Sequence, residues 1–262
     1  MSPAARVYLI AIVGWDGLFA AWATAAVVRR VTTIGLDPLE LVLVGTALEL
    51  SAFVGEIPTG VVADLYGRRI SVAIGYALVG LGFLAETLAT GFGSIVLAQV
   101  VWGGGWTFVS GAREAWIADE IGEDDAARLY LRASQWGQAA TLAGIGASVG
   151  LAGWTLETPM WISSLLFVAL AGWLAVNMRE PGFRPVPRES LSTWSAFGQT
   201  LARGVGAVRA RPALITLLAV AVLAGTASEA MDRLREIHLI QELRLPEVAG
   251  LGAVHWIGGL NA

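Results

Sequence analysis

Repeated runs of about twenty mostly apolar residues, separated by short arginine-bearing segments, leave this chain few ways to fold. In hydrocarbon every backbone N–H and C=O must be paired within the structure, so such runs become membrane-spanning helices. They fall at residues 7–28, 39–63, 70–90, 94–118, 133–154, 160–178 and 212–230; an eighth starts near Val248 and stops at Ala262. The first run carries Trp15 and Asp16 and is longer than the apolar core of a signal peptide, so it reads as a span and not a leader. Composition agrees: 56% of the 262 residues are hydrophobic and 15% charged, outside the usual balance of a soluble domain.

The polar residues exclude several chemistries. Cysteine is absent and histidine numbers 2, so neither a disulfide framework nor a Cys/His metal centre is expected. Every basic residue is arginine. A retinal-type photoreceptor needs a Schiff-base lysine, and this chain has none. No H-E-x-x-H or G-x-S-x-G pattern supports a membrane-embedded enzyme. No cofactor and no nucleic-acid partner is expected. Placing the N-terminus in the cytoplasm puts Arg6, Arg68, Arg69, Arg128, Arg132 and Arg179 inside, in line with the positive-inside rule. Arg29-Arg30 then falls on the opposite side, against that rule.

Residues 180–211 form the natural boundary. Pro181, Gly182, Pro185 and Pro187 end the sixth span. Leu191, Trp194, Phe197, Leu201, Val205 and Val208 then recur at spacings of three and four, with arginines at the C-terminal end. That pattern predicts an amphipathic helix lying in the membrane interface. Three parts follow: a six-helix bundle over 1–179, a cytoplasmic linker over 180–211, and a further bundle begun over 212–262.

Between the second and third spans lies Gly60-Val-Val-Ala-Asp64-Leu-Tyr-Gly67-Arg68-Arg69, with two glycines, one carboxylate and two guanidiniums in a short turn. The pattern G-x-x-x-D-x-x-G-R-R at this place resembles the signature loop of the major facilitator superfamily of secondary transporters. The resemblance implies an all-α membrane protein, with a six-helix N-terminal bundle followed by one complete and one truncated transmembrane helix. It also implies a second half of which only the start is present, so a truncated or incompletely sequenced gene is expected. In relatives an acid at the cytoplasmic end of helix 4 pairs with an arginine of this loop. Asp119 and Arg68 occupy those positions, with Arg113, Glu114 and the helix-2 residue Glu56 extending the gate.

Charges within the spans point to a site. Asp16 lies about nine residues into helix 1, roughly 14 Å deep at 1.5 Å per residue. A carboxylate there costs about 3 kcal/mol, so it faces water or a partner helix. It is either a proton or cationic-substrate site, or an aspartate bonded to a neighbouring helix. Glu49 lies at similar depth in helix 2, on a face shared with Gly45, Ala52, Glu56, Gly60 and Ala63; this face is expected to meet protein, not acyl chains. Glu86, near the outer end of helix 3, is expected at the surface. Trp102-Gly103-Gly104-Gly105-Trp106 puts two rings on one face of helix 4, lining a cavity or packing, and the glycines invite bending or close contact. Gly146 and Gly150 suggest a close-packing face on helix 5. Glu229 is either a substrate residue or the surface partner of Arg233.

Secondary active transport of a small molecule by alternating access is the leading function, with proton-coupled efflux of lipophilic compounds as its expected form. The expected location is the plasma membrane, with lipid, substrate and protons as partners. The alternatives are a non-transporting fragment and a membrane-embedded enzyme. Against proton antiport, Gln99-Val-Val-Trp102-Gly103 lacks the arginine of the antiporters' R-x-x-Q-G. Gly146-Ala-Ser-Val-Gly150-Leu-Ala-Gly153 likewise lacks a proline and a glycine of their helix-5 motif.

Overall fold

The computed structural model describes residues 1–181 together with 206, 209, 211–217, 219 and 220. The predicted interfacial helix, Glu229 and the eighth run lie outside the described residues. The described residues form helices α1 (Pro3–Arg29), α2 (Pro38–Tyr66), α3 (Arg68–Leu88), α4 (Phe92–Val109), α5 (Ala112–Ile121), α6 (Glu123–Ala152) and α7 (Thr158–Asn177). Residues 212–217 continue as helix.

Local chemistry sets the helix ends. Ser2 caps α1, accepting from the Ala5 N–H at 3.1 Å, and Pro3 supplies the first turn. Asp37 and Glu40 form a reciprocal capping box on α2, again followed by proline. A π-helical turn, Arg30–Ile34, extends α1 and stops at Gly35, whose φ is 76°. Two sequence boundaries move. The predicted fourth span breaks at Ser110-Gly111, where Gly111 takes φ 73°, and α5 follows as a separate short helix. The fifth helix begins at Glu123, with Glu123, Asp124 and Asp125 in its first turn facing the positive end of the helix dipole.

Among the described residues, five helical stretches are long and apolar enough to cross a membrane: Pro3–Ile34, Pro38–Glu56, Arg68–Leu88, Phe92–Ile121 and Thr158–Asn177. Neighbouring helices follow the order α2, α4, α3, α7, α1, α6. Glycines set the closest approaches. A Cβ on Gly103 would overlap Ser51 of α2, and one on Gly105 would lie 2.8 Å from the Val79 nitrogen of α3. Gly103 and Gly105 therefore bring α4 against two neighbours, while Gly104 between them faces open space. Hydroxyls stitch the same contacts: Thr59 donates to the Thr107 carbonyl at 3.1 Å and Ser71 to the Phe108 carbonyl at 2.7 Å. The core is strongly aromatic. Trp22 stacks on Phe83 at 4.0 Å, while Trp15 meets Tyr76 at 5.0 Å and Phe167 at 5.3 Å.

Three expectations need correction. Glu86 is not at the surface; it is 1% exposed and accepts from Arg30 Nε at 2.6 Å and from Gln99 Nε2 at 2.5 Å. Arg29 is buried beside it, donating to the carbonyls of Glu86 and Ala89 at 3.1 and 2.7 Å, where α3 ends. The two arginines that break the positive-inside pattern are thus internal partners, not surface anchors. On α2, the face expected to meet protein does so only in part: Gly45 is buried and Ala52 and Ala63 half-buried, while Glu49, Glu56 and Gly60 are exposed among the described residues, and the contact with α4 is made through Leu48, Ser51, Gly55 and Thr59. Gly146 and Gly150 likewise have open space around them, and the close approach of α6 to α1 is made by Gly137 and Gly144.

Removing one member of a buried ion pair leaves the other charge uncompensated, at a cost of about 3–5 kcal/mol. Glu86→Ala is expected to lower unfolding stability in micelles by about that amount. An Arg30→Met/Glu86→Met double variant should recover most of the loss; equal losses would show that the pair is not the cause.

Candidate functional site

A cavity of about 440 Å³ opens between α1, α2 and α4. From α1 it takes Trp15, Asp16 and Phe19; from α2, Leu48, Glu49 and Ala52. Trp102 and Trp106 of α4 close it. The structure therefore brings four candidate residues, Asp16, Glu49, Trp102 and Trp106, to one cavity. Their placement follows from helix periodicity. Trp102 and Trp106 are one turn apart on α4, and the glycines between them hold the helix against its neighbours. Trp106 is 40% exposed and its ring lies 5.3 Å from Trp15; Trp102 stacks against Phe19 at 5.8 Å.

The two carboxylates differ in setting. Glu49 is exposed to the cavity. Asp16 is half-buried where α1 meets α6, and its Oδ2 occupies the space a Cβ on Gly137 would fill. Arg113 lies within electrostatic reach of Asp16. Its guanidinium sits 5.8 Å from the Trp15 ring, donates to Glu114 at 2.9 Å and donates to the Tyr76 hydroxyl at 3.1 Å. Tyr76 in turn donates to the Ala11 carbonyl at 2.9 Å. An arginine at the start of α5 is thereby tied into α1 and α3.

At the same end of the bundle, Arg68 pairs with the carboxylate of Asp119 and donates to the Ala115 carbonyl at 2.7 Å. The turn from α2 into α3 is a single residue, Gly67, at φ 101° and ψ 150°. Only glycine adopts that region readily. Asp64, Arg69, Glu56 and Gly60 are exposed, and among the described residues none of the charged three is in an ion pair. No group of side chains suited to a metal ion occurs among the described residues.

No protein-family model matches the chain. An uncharacterized MFS-type transporter of Bacillus subtilis (strain 168), YxaM, is 26% identical over 145 residues, covering 55% of this chain and 36% of that protein. Two crystal structures of the nucleoside transporter NupG, one of a point mutant, superpose with TM-scores of 0.79 and 0.76 at 14% identity. They cover 99% of this chain and 64% and 63% of NupG. The chain has the major facilitator fold. The resemblance seen at Gly60–Arg69 is borne out in the fold, and the chain is a multi-pass membrane protein. It spans about a third of the length of YxaM and under two thirds of NupG. The relatives named are transporters and not enzymes.

Sequence reasoning missed Gly137 and Tyr76. Gly137 carries no signal, since its importance lies in the space it leaves for a side chain of another helix. Tyr76 was readable only as an apolar-face residue until Arg113 was placed beside it. In a packed bundle of this kind, overpacking at the α1–α6 contact costs about 1–3 kcal/mol. Gly137→Ala is expected to destabilise by that much, and Asp16→Ala to relieve it. A double-mutant cycle in equilibrium unfolding measures the coupling, and additive effects would mean that the two residues do not compete for one space.

Proposed function

We propose that the protein is a secondary active transporter working by alternating access, and that it exports lipophilic small molecules in exchange for protons. The cavity carries this reading: two carboxylates stand among four aromatic rings between α1, α2 and α4, and such transporters bind their substrates between the helices near the midplane. The rings supply apolar surface and attract cationic groups, and Asp16 and Glu49 supply charge. Lipophilic cations fit that combination best. Asp16 would carry the proton, because it is the carboxylate held between the cavity and a neighbouring helix.

The remaining parts take their roles from the same reading. Residues 1–179 form one rocking bundle, 180–211 a connection at the inner membrane face, and 212–262 belong to the opposing bundle. Arg68 with Asp119 is the inner latch, joined by Glu56, Asp64, Arg69 and the Arg113–Glu114 pair. Glu229 belongs to the opposing wall. An exposed pair of this kind contributes only about 0–1 kcal/mol, so alternating access can break it at little cost. The N-terminus is cytoplasmic and the membrane is the plasma membrane.

Three measurements test this. In proteoliposomes, Asp16→Asn should abolish efflux of a fluorescent lipophilic cation driven by a pH gradient, while leaving binding of that cation weakened but present. Unchanged pH-driven flux would rule out Asp16 as the proton carrier. Because the chain has no cysteine, Tyr66→Cys gives a single label site at an exposed position. A membrane-impermeant thiol reagent should reach it only from the cytoplasmic side, and labelling from outside would invert the topology. Asp119→Asn should shift access toward the inward-open state with a stability change within about 1 kcal/mol.

A further inference from the structure

A second cavity system lies on the outer surface of the bundle, away from the proposed substrate site. A groove of about 910 Å³ runs between α1, α6 and α7. Every lining side chain is apolar, among them Leu9 and Leu18 of α1, Trp136 of α6, and Leu166 and Trp173 of α7. From Leu9 to Leu18 is about nine residues of helix, or roughly 14 Å, which matches half of a ~30 Å hydrocarbon core. Met1 lines the groove as well, so it runs from the start of α1 to Leu18 and is long enough to take an acyl chain.

At the end where α1 begins, this groove meets a smaller cavity of about 250 Å³, and Met1 lines both. The smaller cavity has an apolar floor that includes Ala5, Ile121 and Leu129, and carries Ser2, Asp125, Arg128 and Arg132 at its polar side. Arg128 is paired with Asp125. Arg132 is exposed and, among the described residues, in no ion pair. It sits one helical turn before Trp136, so the cationic pocket stands directly above the mouth of the apolar groove.

We propose that this is a binding site for one anionic phospholipid, with the phosphate at Arg132 and Arg128 and an acyl chain along the groove between α1 and α7. Basic pockets between spans at a membrane face hold anionic headgroups by charge. Here the depth of the groove selects a lipid over a free anion, and the excess positive charge selects an anionic lipid over a zwitterionic one. The surface is formed by the packed helices α1, α6 and α7, so the lipid would also brace the contact where Leu170 fills the space beside Gly14.

Native mass spectrometry of the full chain tests the site, after equilibration in mixed micelles of phosphatidylglycerol and phosphatidylcholine. One retained phosphatidylglycerol is expected, and excess inorganic phosphate should not displace it. Arg128→Ala/Arg132→Ala should reduce its retention at least fivefold. Ala169→Trp, which fills the groove without altering charge, should do the same. Thermal unfolding in phosphatidylcholine alone reports whether the variants fold; because these positions are exposed, it should be unchanged for both. Equal retention of the two lipids, displacement by phosphate, or undiminished retention in either folded variant would overturn the proposal. If one variant does not fold, the other decides.

Discussion

Helix α4 passes between α2 and α3 at backbone contact distance, and the rest of the bundle is arranged around that passage. Lipid tails are as apolar as leucine, so burying apolar surface does not by itself hold spanning helices together. Close packing and interhelical hydrogen bonds must do it. Gly103 and Gly105 on α4 and Gly75 on α3 remove the side chains that would keep the helices apart. Thr59 and Ser71 then reach carbonyls of α4 from either side. With α4 fixed from both sides, Trp102 and Trp106 are turned toward α1, and the aromatic wall of the cavity follows from the glycine contacts.

The two ends of the bundle use charge in opposite ways. At one end Arg30, Glu86 and Gln99 form a buried cluster, and the Arg29 guanidinium satisfies carbonyls at the end of α3. Such a cluster has no water to replace a lost partner, so it holds α1, α3 and α4 in one arrangement. At the other end Arg68 and Asp119 meet in solvent, where separated charges are rehydrated. Rigidity is built into the first end and reversibility into the second. That division suits a bundle that moves as a unit and opens on one side.

Much of the fold was legible because the membrane allows so few solutions. Runs of apolar length gave the spans, and the loop at Gly60–Arg69 identified the architecture on few residues. Errors came where a residue's environment depends on a distant helix. Glu86 read as a surface carboxylate because its partners, Arg30 and Gln99, lie far off in sequence. The acidic face of α2 read as a packing face because small residues permit contact but do not compel it. Gly146 and Gly150 failed for the same reason, while Gly137 and Gly144, two helical turns apart on one face of α6, make the contacts. The break at Gly111 was hidden because a run of spanning length could be drawn straight through it, from Ser94 to Ala118. It is set by one left-handed backbone angle, which hydropathy does not register.

The placement of Asp16 explains why two carboxylates in one cavity need not share a task. Glu49 already faces open space, so protonating it would change little around it. Asp16 stands between that space and a slot on α6 that exists only because residue 137 lacks a side chain. The Arg113 guanidinium lies within its electrostatic reach, held by Trp15, Tyr76 and Glu114. Loss of the charge on Asp16 would alter its interactions with α5 and α6 together, whereas loss of the charge on Glu49 would be felt only within the cavity. A carboxylate can couple a proton to movement of a bundle only if its charge acts on the contacts that the movement changes. On that ground the proposed proton-coupling role falls to Asp16, and the role left for Glu49 in that proposal is to tune which cations the cavity admits.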